Sequence, residues 1–127
     1  LFFTRDDLMR INRFIHQQFS TSQSPLLAQQ RLSEALQRTP SARGLATDYS
    51  HIRYQHSFWA RNINKLVTCD NASWLPFMSG FGGITVALLP NNTTYYYVSD
   101  SHQYNWAEAI PELSKLQSLC SLPELLN

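Results

Sequence analysis

The chain has 127 residues, a formal net charge of +1 at pH 7 and 43% hydrophobic residues. That hydrophobic share is enough for a packed core, so the composition excludes an intrinsically disordered chain. The near-zero charge, without a basic run or an acidic tail, argues against nucleic acid or an anionic membrane surface as the main partner. No stretch approaches the roughly 20 apolar residues that a membrane-spanning helix needs. We therefore expect residues 1–127 to form one domain-sized unit, or part of one.

The first 40 residues predict two helices. Thr4 is a suitable N-cap for the first helix, and two aspartates in its first turn suit the positive helix end. Apolar residues then recur at helical spacing, at Leu8, Ile11, Ile15 and Phe19. After a polar loop, Ser24 as cap and Pro25 in the first turn predict a second helix, which Pro40 ends.

A strand is predicted next, over residues 52–58. Apolar or aromatic residues alternate there with polar ones, as in a strand with one buried face. Trp59 breaks the alternation, so we expect the end of this strand to be buried on both faces. The residues from Asn62 to Ala72 are expected to connect it to the next strand.

Residues 74–100 predict a glycine-punctuated strand, a tight turn and a returning strand. Gly80, Gly82 and Gly83 are three of only four glycines in the chain, which indicates a bulge or a place where a ligand or backbone comes close. The following residues, 84–89, are nearly all apolar, as in a strand covered on both faces. Turn residues come next, and residues 93–98 are β-branched or aromatic, as in a returning strand.

The last predicted element is a closing helix over residues 104–120. Asp100 or Ser101 can cap it, and Pro111 either kinks it or begins a second helix. One face of this helix carries Ala107, Ile110, Leu113, Leu116 and Cys120. Strands that follow one another through short turns indicate an antiparallel sheet. The sequence thus predicts an α+β fold, in which about three antiparallel strands are flanked by N-terminal helices and a C-terminal helix.

The run MSGFGGITVALLP, followed by YYYVSD and a tryptophan-bearing helix, resembles the C-terminal part of the serine β-lactamase and penicillin-binding-protein superfamily. The resemblance is to its esterase-like and 6-aminohexanoate-dimer-hydrolase-like branch. In that fold an edge strand beside the active site carries a K-T-G-type tripeptide, and the next residue donates its backbone N–H to the oxyanion hole. The resemblance implies that Met78, Ser79 and Gly80 form the tripeptide, that Phe81 is the oxyanion donor, and that Gly82 lets substrate approach the backbone.

The same resemblance implies a reaction. Residues 1–127 would be the C-terminal segment of a larger β-lactamase-like domain that hydrolyses ester or amide carbonyls through an acyl-enzyme, with no metal or cofactor. Met78 stands where the family has lysine or histidine. This departure argues against recognition of a β-lactam carboxylate, and it favours an ester- or amide-directed branch or an inactive protein. The alternative is a non-catalytic binding or scaffold module with the same fold, which this methionine also favours.

The nucleophile of such an enzyme is missing from this sequence. In the S-x-x-K motif, lysine lies one helical turn after the serine and can take its proton. No serine here has lysine three residues later, and no tyrosine begins a Y-x-N triplet. We therefore expect the nucleophile to come from an upstream portion, and the 127-residue chain alone to have no hydrolase turnover.

The two cysteines, Cys69 and Cys120, can form one disulfide that ties the last helix to the sheet, or remain two buried thiols. A disulfide implies an oxidising compartment, and the periplasmic or secreted habit of the family favours that alternative. Four histidines are scattered without metal-ligand spacing, and His102 is a candidate for the rim of the cleft.

The expected partners follow from this interpretation. They are a small ester or amide substrate and the remaining portion of the same protein, with neither nucleic acid nor a membrane span. The segment by itself can form a homodimer, because the face on which the remaining portion would pack would otherwise be a large apolar patch.

Overall fold

Six antiparallel strands form one sheet, in which strands that are neighbours along the chain are also neighbours in space. The structure is a computed structural model, and it describes residues 4–20 and 28–120. The strands are β1 (Leu45–Ala46), β2 (Ile52–Gln55), β3 (Phe58–Asn62), β4 (Trp74–Gly80), β5 (Ile84–Leu89) and β6 (Thr93–Val98). The helices are α1 (Arg5–Ser20), α2 (Gln29–Ala35) and α3 (Ile110–Leu116), with short 3-10 helices at Pro40–Ala42 and Asn105–Ala109. The predicted α+β class with an antiparallel sheet is confirmed.

The sheet has twice the expected number of strands. The single strand predicted over residues 52–58 is the hairpin of β2 and β3, whose two turn residues, His56 and Ser57, have φ of 46° and 68°. Trp59 breaks the alternation because it lies on the second strand, where it pairs with Tyr54. The glycine cluster likewise separates two strands, β4 and β5, rather than interrupting one.

The N-terminus of α1 is capped as predicted. The Thr4 hydroxyl accepts a hydrogen bond from the Asp7 N–H at 3.3 Å, and the Asp7 carboxylate accepts one from the Thr4 N–H at 2.8 Å. This reciprocal pair satisfies two donors that the first helical turn leaves free. The Thr4 N–H and the Thr4 hydroxyl both donate to the Asp7 carboxylate, and these two bonds lower the pKa of Asp7.

The buried face of α1 differs from the predicted one. Ile15 is buried as expected, but Ile11 is 50% exposed, and the polar residues Asn12 and His16 are buried in its place. The Phe19 side chain and the Ser24–Pro25 cap of the second helix lie outside the described residues. The described part of that helix begins at Gln29.

Each face of the sheet packs on a different set of helices. One core joins the sheet to the C-terminal helices, and its buried members include Leu75, Phe77, Ala87, Leu89, Trp106, Ile110 and Leu119. A smaller core joins the other face to α1 and α2 through Ile15, Leu32, Leu36 and Leu88. Because neighbouring residues of a strand point to opposite faces, Leu88 and Leu89 enter different cores. The prediction that residues 84–89 are covered on both faces is confirmed.

The C-terminal region consists of two short helices instead of one long one. Pro111 lies in the first turn of α3, as in the predicted alternative that it begins a second helix. The predicted cap at Asp100 or Ser101 is wrong, because Tyr104 precedes the 3-10 helix and makes no side-chain cap. Leu116, predicted to face the core, is 83% exposed.

A disulfide joins Cys69, in the β3–β4 connection, to Cys120, with 5.3 Å between their Cα atoms. Beside it, the Ser73 hydroxyl donates to the Cys120 carbonyl at 2.8 Å. The segment from α3 to Cys120 is thereby held against the sheet, where Leu119 is buried. The disulfide alternative is confirmed.

Candidate functional site

The end of β4 is paired on one side only. The pairing of β3 with β4 ends at Trp59 and Phe77, whereas the pairing of β4 with β5 continues to Gly80 and Ile84. The reason is that β3 begins only at Phe58, after the turn at residues 56–57 that joins it to β2, so it does not extend beside Ser79 and Gly80. β4 is therefore an inner strand along most of its length and an edge strand at Ser79 and Gly80.

A three-residue turn, Phe81 to Gly83, follows this open edge. The Phe81 side chain is 94% exposed, and Gly82 and Gly83 have φ of 91° and 83°. A Cβ at Gly83 would lie 2.7 Å from the Gln103 carbonyl oxygen, so the backbone there has room for glycine alone. The expectation that the glycines allow a close approach is thus met by the protein's own backbone at Gly83.

The backbone amide of Phe81 lies at the start of this turn. No backbone hydrogen bond in the turns and loops of the described ranges uses the Phe81 N–H. The ladder that precedes it ends with the Gly80–Ile84 pair. The Phe81 N–H therefore lies where the half-paired end of β4 meets an exposed turn.

The three residues of the predicted tripeptide do not present their side chains to one place. Met78 is half-buried and packs against the core between the sheet and the first two helices. Ser79 points to the opposite face, and its hydroxyl donates to the Ile84 carbonyl at 3.3 Å. Gly80 has no side chain. These three residues have in common only their backbone, which forms the half-paired end of β4.

The segment after β6 packs beside the turn. The Tyr104 hydroxyl donates to the Gly80 carbonyl at 3.1 Å, and the His102 ring lies 6.0 Å from the Phe81 ring. His102, expected at a cleft rim, is therefore next to the predicted donor residue. Tyr104 was assigned to the closing helix from sequence, and nothing local to it signals a contact 24 residues away.

Three broader observations bear on the chemistry. Within residues 4–20 and 28–120, no three His, Cys, Asp or Glu side chains are grouped so that they could hold a metal ion. None of the described helices has the length and apolarity required to cross a bilayer. Comparisons of the chain with family models, with curated proteins and with solved structures found no match.

Proposed function

We propose that this chain is the C-terminal segment of a β-lactamase-like serine hydrolase that acts on ester or amide carbonyls through an acyl-enzyme. The observation that carries the proposal is the open edge of β4, which leads directly to the Phe81 amide on an exposed turn. In this proposal the segment supplies one wall of the active site. The nucleophilic serine and its base come from another portion of the same protein.

Each residue of the edge has a role in this proposal. The substrate lies along Ser79 and Gly80, where no described strand pairs with β4 on the β3 side. The Phe81 N–H donates to the carbonyl oxygen, which becomes negatively charged in the tetrahedral intermediate, and the second donor belongs to the nucleophile. Gly82 leaves the space beside that donor free of a side chain, and Met78 anchors the strand from the core side.

Tyr104 is a positioning residue in this account. Its hydroxyl bonds to the carbonyl of Gly80, which is part of the peptide unit that carries the Phe81 N–H. That contact restrains the orientation of the peptide plane, and a fixed donor stabilises an oxyanion better than a mobile one. The disulfide supports a periplasmic or secreted location for the protein, because disulfides persist in oxidising compartments.

The proposal is tested by removing the backbone N–H of Phe81. Phe81→Pro deletes the N–H, while Phe81→Ala keeps it and removes the side chain. Loss of one oxyanion donor lowers kcat by about 10²- to 10³-fold. In the complete product of the gene that encodes this chain, we expect Phe81→Pro to lower kcat for p-nitrophenyl esters by that factor and Phe81→Ala to lower it by less than about tenfold. An active protein in which both variants retain full kcat would contradict the proposal.

Two further measurements accompany this test: the activity of the chain alone and the thermal stability of each variant. The 127-residue chain alone is expected to show no turnover of p-nitrophenyl esters or of a chromogenic cephalosporin, and steady hydrolysis by the pure chain would contradict the role of a segment. A matched thermal unfolding curve for each variant separates loss of the donor from loss of the fold.

The second candidate function is a non-catalytic binding or scaffold module. The packing of Met78 favours it, because the position that carries lysine or histidine in the family holds a half-buried apolar side chain packed against the core. The two candidates differ in covalent chemistry. Mass spectrometry after treatment of the complete gene product with a fluorophosphonate will show one added phosphonyl group on a serine in the enzyme and none in the module.

A further inference from the structure

The outer edge of β6 has no partner strand in the described part of the chain. β6 is the last strand of the sheet, and it pairs with β5 without interruption from the Leu89–Thr93 pair to the Ile84–Val98 pair. The opposite edge of the sheet is protected by its shortness, since β1 has only two residues. β6 has six residues, none of which is proline or charged, and no bulge interrupts its ladder. It therefore lacks the features with which edge strands usually prevent pairing.

The hydrogen bond just after β6 shows which residues face outward. The Ser99 N–H donates to the Gly83 carbonyl at 3.1 Å, and these residues are opposite each other in the register of β5 and β6, so they form a hydrogen-bonded pair. Such pairs alternate along an antiparallel ladder, so the backbone groups of Thr94, Tyr96 and Val98 point away from β5. Among the described residues, none donates to or accepts from these outward groups. An unpaired edge of this kind binds another strand.

The side chains of the same three residues lie beside α1. Thr94 pairs with Leu88, which packs against α1 and α2, so all three side chains are on the α1 face of the sheet. At one end of the strand, Val98 is 64% exposed. At the other end, a cavity of about 440 Å³ is lined by Thr94 and by α1, including the exposed side chain of Met9. An exposed apolar side chain and a recess with an apolar wall thus occupy opposite ends of one strand.

We propose that β6 pairs with β6 of a second copy of this chain, in antiparallel orientation, about a two-fold axis at Tyr96. In this register all three outward-facing residues of each copy form hydrogen-bonded pairs: Tyr96 with its counterpart, and Thr94 with Val98 of the other copy. Val98 of one copy then lies beside the cavity and Met9 of the other. The same symmetric contact covers both the exposed valine and the recess.

The charges near the two ends of β6 fit the same register. Two residues beyond Val98, the exposed Asp100 comes opposite Asn92 of the other copy, which lines the cavity together with Arg13. Neither Asp100 nor Arg13 has an ion pair among the described residues. The dimer brings an acidic group of each copy towards a basic group of the other, and β6 itself places no charge near the axis. This complementarity favours a second copy over an unrelated strand as the partner.

The test is amide hydrogen exchange of the whole 127-residue chain, measured by NMR at several protein concentrations together with sedimentation equilibrium. We expect exchange of the Thr94, Tyr96 and Val98 amides to slow as the concentration rises. When about 90% of the chain is dimeric, the slowing should be about tenfold, because exchange then occurs from the remaining monomer. The amides of Tyr95 and Tyr97, which are bonded to β5, are the internal controls and should exchange slowly at every concentration.

Cysteine cross-linking tests the register. Tyr96→Cys should form a disulfide between two copies, because the Cα atoms of a hydrogen-bonded pair are about 5.5 Å apart, within the range that a disulfide spans. Thr94→Cys and Val98→Cys should cross-link only when the two variants are mixed, because each position lies opposite the other. Tyr49→Cys, at a 65% exposed position between β1 and β2, is the control for random collision and should give no cross-link.

An exchange of charges tests the complementarity of the two ends. Arg13→Glu or Asp100→Lys alone should weaken the dimer about tenfold, because each brings like charges together at both ends of the interface. The double variant should restore the affinity, because opposite charges then face each other again. Lys65→Glu makes the same change of net charge on the β3–β4 connection, at an exposed position far from β6 in the strand order, and should leave the affinity unchanged.

Three results would overturn the proposal. The first is a monomer at all concentrations, with exchange of the three outward amides independent of concentration. The second is slow exchange of those amides in the monomer, which would mean that another segment of the same chain covers the edge. The third is a dimer in which Thr94→Cys cross-links with itself, which would place the contact in another register or on another surface.

Discussion

The disulfide should contribute a large share of the stability of this chain. Cys69 and Cys120 are 51 residues apart in sequence, so the bond closes a long loop. Closing a loop of that length in the unfolded chain removes about 14 cal/mol/K of entropy, which corresponds to about 4 kcal/mol at 25 °C. Domains of this size have a total stability of about 5–15 kcal/mol, so the bond supplies between about a quarter and four fifths of that stability.

The perturbation is the double variant Cys69→Ser/Cys120→Ser, compared with the wild-type chain with and without dithiothreitol. Urea unfolding at neutral pH, followed by tryptophan fluorescence, reports the free energy of unfolding. With a urea dependence of about 2 kcal/mol/M, the midpoint should fall by roughly 2 M. The reduced wild-type chain should behave like the double variant, because both lack the same constraint on the unfolded chain.

A small effect would refute this reasoning. If reduction or substitution changes the free energy of unfolding by less than about 1 kcal/mol, the cross-link does not restrain the unfolded chain as calculated. The packing of Leu119 and the Ser73–Cys120 hydrogen bond would then have to hold residues 119–120 against the sheet without the disulfide.

Three further predictions follow from the described contacts. Gly83→Ala should lower the free energy of unfolding in urea by about 1–3 kcal/mol because φ there is 83°, whereas Gly80→Ala, whose new Cβ meets only a side-chain atom at 3.9 Å, should cost under about 1 kcal/mol. Burial and the Arg38 charge lower the pKa of His16 below its usual 6.5, so the unfolded chain binds the proton more readily. Stability should then fall as the pH drops from about 6.5 towards the folded-state pKa, and urea midpoints of His16→Gln should not show that slope. The chain alone should dimerise through β6, the last strand of the described sheet, so light scattering should give a dimer. Val98→Lys, at a 64% exposed position, should convert that dimer to a monomer, and a wild-type monomer at all concentrations would contradict this.

Local signals in the sequence were sufficient for several elements. The strands at residues 84–89 and 93–98 were predictable because continuous apolar and β-branched runs are bounded by turn residues. The cap at Thr4 and the helix start at Pro111 were predictable because capping depends on neighbours within one turn.

Other features depend on contacts that a linear pattern does not carry. The turn at His56 and Ser57 was missed because neither residue is among the glycine, asparagine or aspartate residues usual in tight hairpins, although both adopt positive φ. Asn12 and His16 are buried in α1, although hydropathy alone assigns such polar residues to the surface.

The sequence predicted which residues form the candidate site, but it did not predict how they are arranged in space. The resemblance singled out residues 78–82, and the structure places them at a half-open strand end and its turn. The alternation that sends Met78 and Ser79 to opposite faces follows from strand geometry, but the hydrogen bond from Tyr104 to Gly80 depends on how the chain returns after β6.

The most direct test of the central claim is a crystal structure of the complete gene product trapped with a phosphonate ester, which imitates the tetrahedral intermediate. The distance to measure joins the Phe81 backbone nitrogen to the phosphonyl oxygen. We expect 2.7–3.1 Å, the separation of a working oxyanion donor. A phosphonyl oxygen held by other donors, with the Phe81 nitrogen beyond about 3.5 Å, would contradict the account.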